Sequence, residues 1–352
     1  MINVTLTALL LTSIGALIFD RLSVKKSKIL YKIFVICLIC VAGFRNGVTM
    51  PDYQAYTDYY GLIVDGQLDD FLEPSFIYIS KLSNLILEKN AVVMFVIYAI
   101  IGVSLKAYAI QKLSHLWFYS LVIYISNYFI LHEMIQIRAG VAVALIFISI
   151  VPLYDRCFRN FVTLIICATL FHFSSIIFLL LWFFNTNRYN KILYISLIPL
   201  AYLVDFLISY VNLIGFIAIY MPFDFIAYKL ALYSQMPADD SRQLNVFGIS
   251  PLVKIIILMF FTYFSSLIQC HNKYLYILLK MYAFGVFIYI AMSMYPHIAV
   301  RISYSLFLSE IIIVPTLIYI IRGYFFPRLI VILYGLLAFY LNVLFTSYFQ
   351  YS

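Results

Sequence analysis

Apolar runs of bilayer-crossing length recur along almost the whole of this chain, and only short connections separate most of them. Crossing the hydrocarbon core takes about 20 apolar helical residues, fewer where a helix stops inside the protein. Such runs stand near 2–20, 29–44, 91–110, 116–131, 138–153, 192–218, 251–270, 274–295, 301–321 and 328–348. Apolar residues make up 65% of the 352 and charged residues 11%, where soluble domains hold about 45–50% and about 25%. A soluble fold of this length leaves too much surface in water to hide so much apolar chain. The expected fold is all-α, a polytopic integral membrane protein of about 11–12 transmembrane helices. A single domain is expected over 1–352.

One stretch resists a simple count. Residues 161–185 form either one tilted helix or a hairpin of two short ones, broken around Leu170-Phe171-His172-Phe173-Ser174. Loop charge favours the hairpin. Arg21, Lys25, Lys26 and Lys28 make the first connection basic, which places it in the cytoplasm and the N-terminus outside. Arg156 and Arg159 then fall inside as well, and the basic loops 185–191, 271–273 and 322–328 join them only if 161–185 crosses twice. His172 is thus expected near an outer tip. The first run, Ile2–Phe19, has no basic segment before it and no small-residue cleavage site after it, so a retained helix is expected.

Two longer loops, 45–90 and 219–250, fall outside and carry ten of the 15 acidic residues. Within the first, the apolar spacing over 71–87 behind Pro74 predicts a helix lying on the outer surface. No repeat of fixed period and no linker marks a second domain.

The net charge of +8 sits in short loops between spans, so it reads as topology and not as a nucleic-acid surface. Tyr and Phe stand at 32 each. They suit membrane interfaces, helix packing, and a cavity that grips a ring-shaped or lipid-bearing ligand. Cys37 and Cys40 form a Cys-x-x-Cys pair, but inside an apolar run with no His or carboxylate nearby, where they are expected as filler. No His pair has zinc spacing, so no metal and no cofactor is expected. Nucleotide-binding and Gly-x-Ser-x-Gly patterns are absent, which removes support for nucleotide-driven transport and hydrolase chemistry.

On this topology several polar groups reach one face. Arg45 follows the second span, Glu133 and Arg138 bracket a short turn, His172 lies at the hairpin tip, and His297 and Arg301 share another turn. A single interfacial Arg commonly snorkels to headgroups. Three on the side where positive charge is under-represented point to a shared anion site, because guanidinium binds phosphate bidentately. His172 has two readings, a packed imidazole bonded to backbone or a general base for a hydroxyl proton. Asp52 and Tyr53 follow Pro51 in a turn, and Glu73 precedes Pro74; both acids also suit helix starts. Asp205 and Glu310 lie within spans, the placement a proton-coupled transporter uses, though without an evident basic relay.

These pieces resemble the O-antigen and exopolysaccharide polymerases of the Wzy type, especially the EpsG-like branch. The resemblance rests on Phe44-Arg45-Asn-Gly-Val-Thr-Met-Pro-Asp52-Tyr53-Gln-Ala-Tyr56, Glu73-Pro74-Ser-Phe76, Ile137-Arg138-Ala-Gly-Val-Ala142, Leu170-Phe-His172-Phe-Ser174 and Arg301-Ile-Ser-Tyr304. Ala139 stands where Gln is commoner, Ser75 where Gly is, and Met50-Pro51 where Gly-Thr is usual.

The resemblance implies a glycosyltransferase in a bacterial inner membrane with its active site facing the periplasm. It would transfer a growing glycan from undecaprenyl pyrophosphate to the non-reducing end of a new undecaprenyl-pyrophosphate-linked repeat unit. Arg138 and Arg301 are then expected on the pyrophosphate with Arg45 assisting. His172 is expected as base, with Glu133 or Asp52 competing, and Asp52, Tyr53, Glu73, His297 and Tyr304 at the substrate. Expected partners are the lipid-linked glycans, membrane lipids and a chain-length regulator, with no nucleic acid. The competing readings are a lipid-linked oligosaccharide flippase and an O-antigen ligase.

Overall fold

The computed structural model describes residues 2–19, 23–45, 52–67, 72–208 and 244–345. The second long loop lies outside these residues as far as 243, with Asp224, Asp239 and Asp240; so do 46–51 and 68–71 of the first. The described residues are helical, with no strand among them. Among the described residues six helices are long and apolar enough to cross a membrane, and five shorter apolar helices accompany them. Contacts gather the chain into two compact units, Met1–Thr186 with Glu310–Ser352, and Asn187–Ser309.

The first unit begins with α1 (Ile2–Phe19) and α2 (Val24–Gly43), then α3 (Tyr53–Val64) and α4 (Pro74–Ile86). The helix expected on the surface is α4; α3 was not foreseen. Pro74 at the first helical position gives α4 its start, since its missing N–H would find no helical partner there. Facing inward, α4 presents Phe76, Ile79, Ser80 and Ser83, while Tyr78, Leu82, Leu85 and Ile86 are exposed. Leucines outward and serines inward invert the pattern of a water-facing helix and suit one bathed in lipid. α1 does the same with Leu10, Leu11, Ile14 and Ile18.

The core of this unit is α5 (Val92–Leu113), α6 (Trp117–Tyr124) and α7 (Ile137–Tyr154). α6 runs on as a π-helix, Ile125–Ile135, closed where the Gln136 N–H reaches the Leu131 carbonyl at 2.7 Å. Such wide turns re-aim side chains and gather at functional sites. Here the π-helix carries Glu133 into the core, where Lys106 of α5 donates to its Oε1 and the Tyr124 hydroxyl joins at 2.8 Å. Lys106 also donates to the Gly140 carbonyl of α7 at 2.7 Å. Two glycines make room. A Cβ at Gly102 would strike the Glu133 carboxylate, and one at Gly140 would strike the His132 carbonyl. Glu133, expected in an outer turn as a candidate base, is therefore a buried partner of Lys106.

α8 (Phe158–Phe171) and a 3-10 helix (Phe173–Phe183) form the hairpin favoured over 161–185. Its two ends meet: Arg156 donates to the Trp182 carbonyl at 2.7 Å and to that of Phe184, and the Phe158 and Trp182 rings lie 5.1 Å apart. His172, extended at φ −154° and ψ 111°, is the break between the two helices.

The second unit holds α9 (Lys191–Ile208), α10 (Ile249–Tyr263), α11 (Ser265–Gln269), α12 (Leu275–Ala291) and α13 (Pro296–Phe307). Lys280 is buried and donates to the Arg188 carbonyl at 2.6 Å. Asp205 accepts from the Ser293 hydroxyl.

The chain re-enters the first unit at α14 (Glu310–Ile313), a 3-10 turn (Val314–Thr316), α15 (Leu317–Ile320) and α16 (Phe325–Phe345). Glu310 is fully buried and accepts from Asn127 at 2.9 Å, Tyr128 at 3.1 Å and the Tyr334 hydroxyl.

Removing one member of a buried ion pair costs about 3–5 kcal/mol, because the other charge is left behind unpaired. Lys106→Met is expected to lower thermal stability in detergent sharply, and Lys106→Met with Glu133→Gln to recover most of the loss. Equal stability of Lys106→Met and the wild type would show that the pair carries no weight.

Candidate functional site

The site is built where α2 ends, α4 and α7 begin, and the hairpin turns. Pro74 fixes Glu73 at the mouth of α4, in extended backbone at φ −63° and ψ 136°. From there its carboxylate holds two partners at once. Arg138, in the first turn of α7, donates Nη1 to Oε2, and His172 Nδ1 lies 3.2 Å from Oε1. Burial alone would raise the Glu73 carboxyl; the hydrogen bond from His172 and the charge of Arg138 outweigh it and hold the group below the usual carboxylate range. Ionised, Glu73 accepts only, so it takes its hydrogen bond from Nδ1–H, and in a neutral imidazole this leaves the lone pair on Nε2. Nε2 is buried with no hydrogen-bond partner.

Arg138 is not used up by Glu73, since its side chain keeps 23% of its surface exposed. Its guanidinium lies 5.4 Å from the Tyr56 ring and 5.2 Å from that of Phe76. Arg45, just past α2, donates Nη1 to the carbonyls of Ala42 and Glu133, each at 3.1 Å. It lies 4.1 Å from the centroid of Phe95, against which Tyr53 stacks at 4.6 Å. Burial pulls the Arg45 guanidinium down to about 10, which leaves it charged at neutral pH. Its Nε and Nη2 are buried without a partner. Buried donors of this kind are costly unless something accepts from them. Tyr56 contacts both Phe76 and Phe95, so a ring cluster joins the two guanidinium groups. The arrangement offers anion binding and, at His172 Nε2, a proton acceptor.

The first unit thus brings together Arg45, Tyr53, Glu73, Arg138 and His172. Asp52 stands at the start of α3, where its carbonyl accepts from the Tyr56 N–H at 3.1 Å and its carboxylate makes no capping bond. Glu133 contributes only its backbone carbonyl, to Arg45. His297, Arg301 and Tyr304 lie along α13 of the second unit, the first two exposed and Tyr304 against Phe307 at 5.9 Å. Two residues escaped the sequence reading. Tyr56 was quoted only as part of a motif, and Lys106 was passed over, although a lysine deep in an apolar run signals a buried partner. Among the described residues no group of His, Cys, Asp and Glu has the geometry of a metal site.

No curated protein and no solved structure matches this chain. A family model does, over residues 28–352, nearly its full length. Its reach includes every residue of the cluster around Glu73 as well as α13. The chain belongs to the EpsG family, which places it among polysaccharide polymerases in the broad sense.

Proposed function

We propose that this protein polymerises lipid-linked oligosaccharide repeat units, moving the growing glycan from undecaprenyl pyrophosphate to the non-reducing end of a new unit on the same carrier. The observation that carries the reading is Glu73, one carboxylate holding an arginine by one oxygen and a histidine by the other. An anion-binding group and a proton acceptor stand side by side there, which is what transfer away from a diphosphate requires.

In this reading a hydroxyl of the acceptor sugar attacks the anomeric carbon of the donor. The bond from that carbon to the diphosphate oxygen breaks, and its electron pair leaves with the carrier. The hydroxyl proton passes to His172 Nε2, whose tautomer Glu73 sets through Nδ1. Arg138 and Arg45 stabilise the charge growing on the leaving diphosphate. Tyr53 and Tyr56 contact the glycan, with Asp52 near it. Glu133 is set aside as a base because Lys106 and Tyr124 engage it.

The cluster faces the periplasm of a bacterial inner membrane on this reading. Support comes from helix direction: Lys25, Lys26 and Lys28 start α2 and Arg45 follows its end, while Arg138 starts α7 and Arg156 follows its end. The proposed partners remain the lipid-linked glycans, membrane lipids and a chain-length regulator.

The test is a ladder assay with purified chain in nanodiscs, undecaprenyl-pyrophosphate-linked repeat units, and no nucleotide or added metal. Arg138→Ala is expected to abolish the ladder, and Arg138→Lys not to restore it, since an ammonium cannot make the bidentate contact. His172→Ala is expected to slow elongation by about 10²–10⁴ while substrate still binds. A normal ladder from Arg138→Ala or His172→Ala defeats the assignment. Carrier flipping in liposomes without any ladder would hand the chain to the transporter reading.

Glu73 also sets a pH dependence. Its folded value is depressed, so its stabilising contribution is complete above the unfolded carboxylate value and disappears as pH falls through the folded one. A melting-temperature profile against pH should show this acid-side loss in the wild type and lack it in Glu73→Gln. Parallel profiles would remove the ion-paired role.

A further inference from the structure

Beside Tyr53 the first unit opens a groove of about 430 Å³ that the proposed transfer leaves unassigned. One wall is a single face of α3, where Tyr53, Thr57, Tyr60 and Gly61 recur at helical spacing. The other is the connection into α5, residues 89–92. That connection is tied in place. Lys89, at φ 53°, donates its backbone N–H to Asn84 Oδ1 at 2.8 Å, and Asn90 Oδ1 accepts the Val92 N–H at 2.9 Å. The wall is therefore formed before anything binds.

The lining has the chemistry of a sugar site. The Thr57 and Tyr60 hydroxyls, which donate to the Gln54 carbonyl and to Asn84 Oδ1, keep lone pairs for a polyol's hydroxyls, the Asn90 Nδ2 amide offers donors, and Tyr53 offers a ring to stack on. Phe95 holds that ring flat, with 24° between the two planes. The rim carries one acid, Asp65, and one base, Lys89, so their charges cancel and the groove favours an uncharged occupant. Position matters as much as lining. Phe95 touches Tyr53 and also carries the Arg45 guanidinium, so the groove begins where the candidate anion site ends. Its volume falls within the range of about 300–1,000 Å³ typical of small-ligand pockets, room for a short saccharide and not for a polymer.

We propose that this groove is a saccharide subsite, taking uncharged sugar rings of a glycan whose diphosphate is held at Arg45. The proposal rests on the polymerase reading above. The rings belong either to the incoming unit or to the growing chain, and the test separates these two sources.

Gly61 makes the test clean. A Cβ built there meets nothing within 4 Å, so a side chain can leave the groove wall at this position without a clash at its first atom. It also relieves the helix of a glycine. The full chain in nanodiscs is titrated with bare undecaprenyl pyrophosphate, then with that carrier bearing one repeat unit, then several. Gly61→Trp is expected to bind the bare carrier as the wild type does and a sugar-bearing carrier about tenfold or more weakly. Loss confined to the single unit assigns the groove to the acceptor, and loss confined to the longer glycan assigns it to the donor. Wild-type affinity of Gly61→Trp for every sugar-bearing carrier overturns the subsite. Should the tryptophan variant lose the bare carrier as well, Gly61→Leu is read in its place by the same rule. A wild type that binds none of the three probes overturns the polymerase reading instead.

Discussion

A buried ion pair, Lys106 with Glu133, is the contact on which the first unit is organised. Carrying a lysine and a glutamate into a bilayer interior is expensive, and it succeeds only where each charge is matched and every remaining donor is used. Backbone contributes to this as much as side chains do. Gly102 leaves space for the carboxylate, and the Gly140 carbonyl accepts a hydrogen bond from the ammonium. The pair therefore ties α5, the π-helix and the first turn of α7 to one another. Arg45 leans on the backbone of Glu133, and Arg138 lies two residues before Gly140 in α7. The two guanidinium groups of the candidate site inherit their places from a contact neither of them makes.

That dependence explains what the sequence could and could not reveal. Apolar runs announce spans because the bilayer punishes anything else, and the positive-inside bias resolved 161–185 into the hairpin that the Arg156 and Trp182 contacts close. Glu73-Pro74, Arg138 and His172 stood out because proline, guanidinium and imidazole each carry a local meaning. Lys106, deep in an apolar run, signalled a buried partner without saying which. One cation within α5 becomes legible only once its partner is known, and that partner was read as part of a turn. The span runs four residues beyond the expected limit of 131, as a π-helix whose hydrogen-bond pattern leaves no mark on hydropathy. α3 went unread because it lies in a loop-like acidic stretch, although Tyr53, Tyr56, Tyr60 and Ile63 keep a helical interval.

Aromatic rings do more than fill the interior. Phe95, Phe76, Tyr53 and Tyr56 form a continuous surface on which both cations rest, so each guanidinium is flanked by π-faces rather than by competing anions. Such faces hold a cation while leaving its N–H groups to a ligand. A carboxylate beside Arg45 would have satisfied the same charge and closed the site to phosphate. Glu73 is the exception; it binds Arg138 and orients His172 at the same time.

The hairpin has a further consequence, set by its height. Fourteen residues of α8 rise about 21 Å at 1.5 Å each. Eleven residues of 3-10 helix rise about 22 Å at 2.0 Å each, so the tighter coil lets the shorter arm match the longer. Both fall short of a hydrocarbon core about 30 Å thick. A histidine at the tip of so short a pair sits beneath the headgroup plane unless the lipid around it thins. Matching the two costs fractions of a kcal/mol for each ångström. The depth of His172 is thus fixed jointly by the chain and by the thickness of the membrane around it.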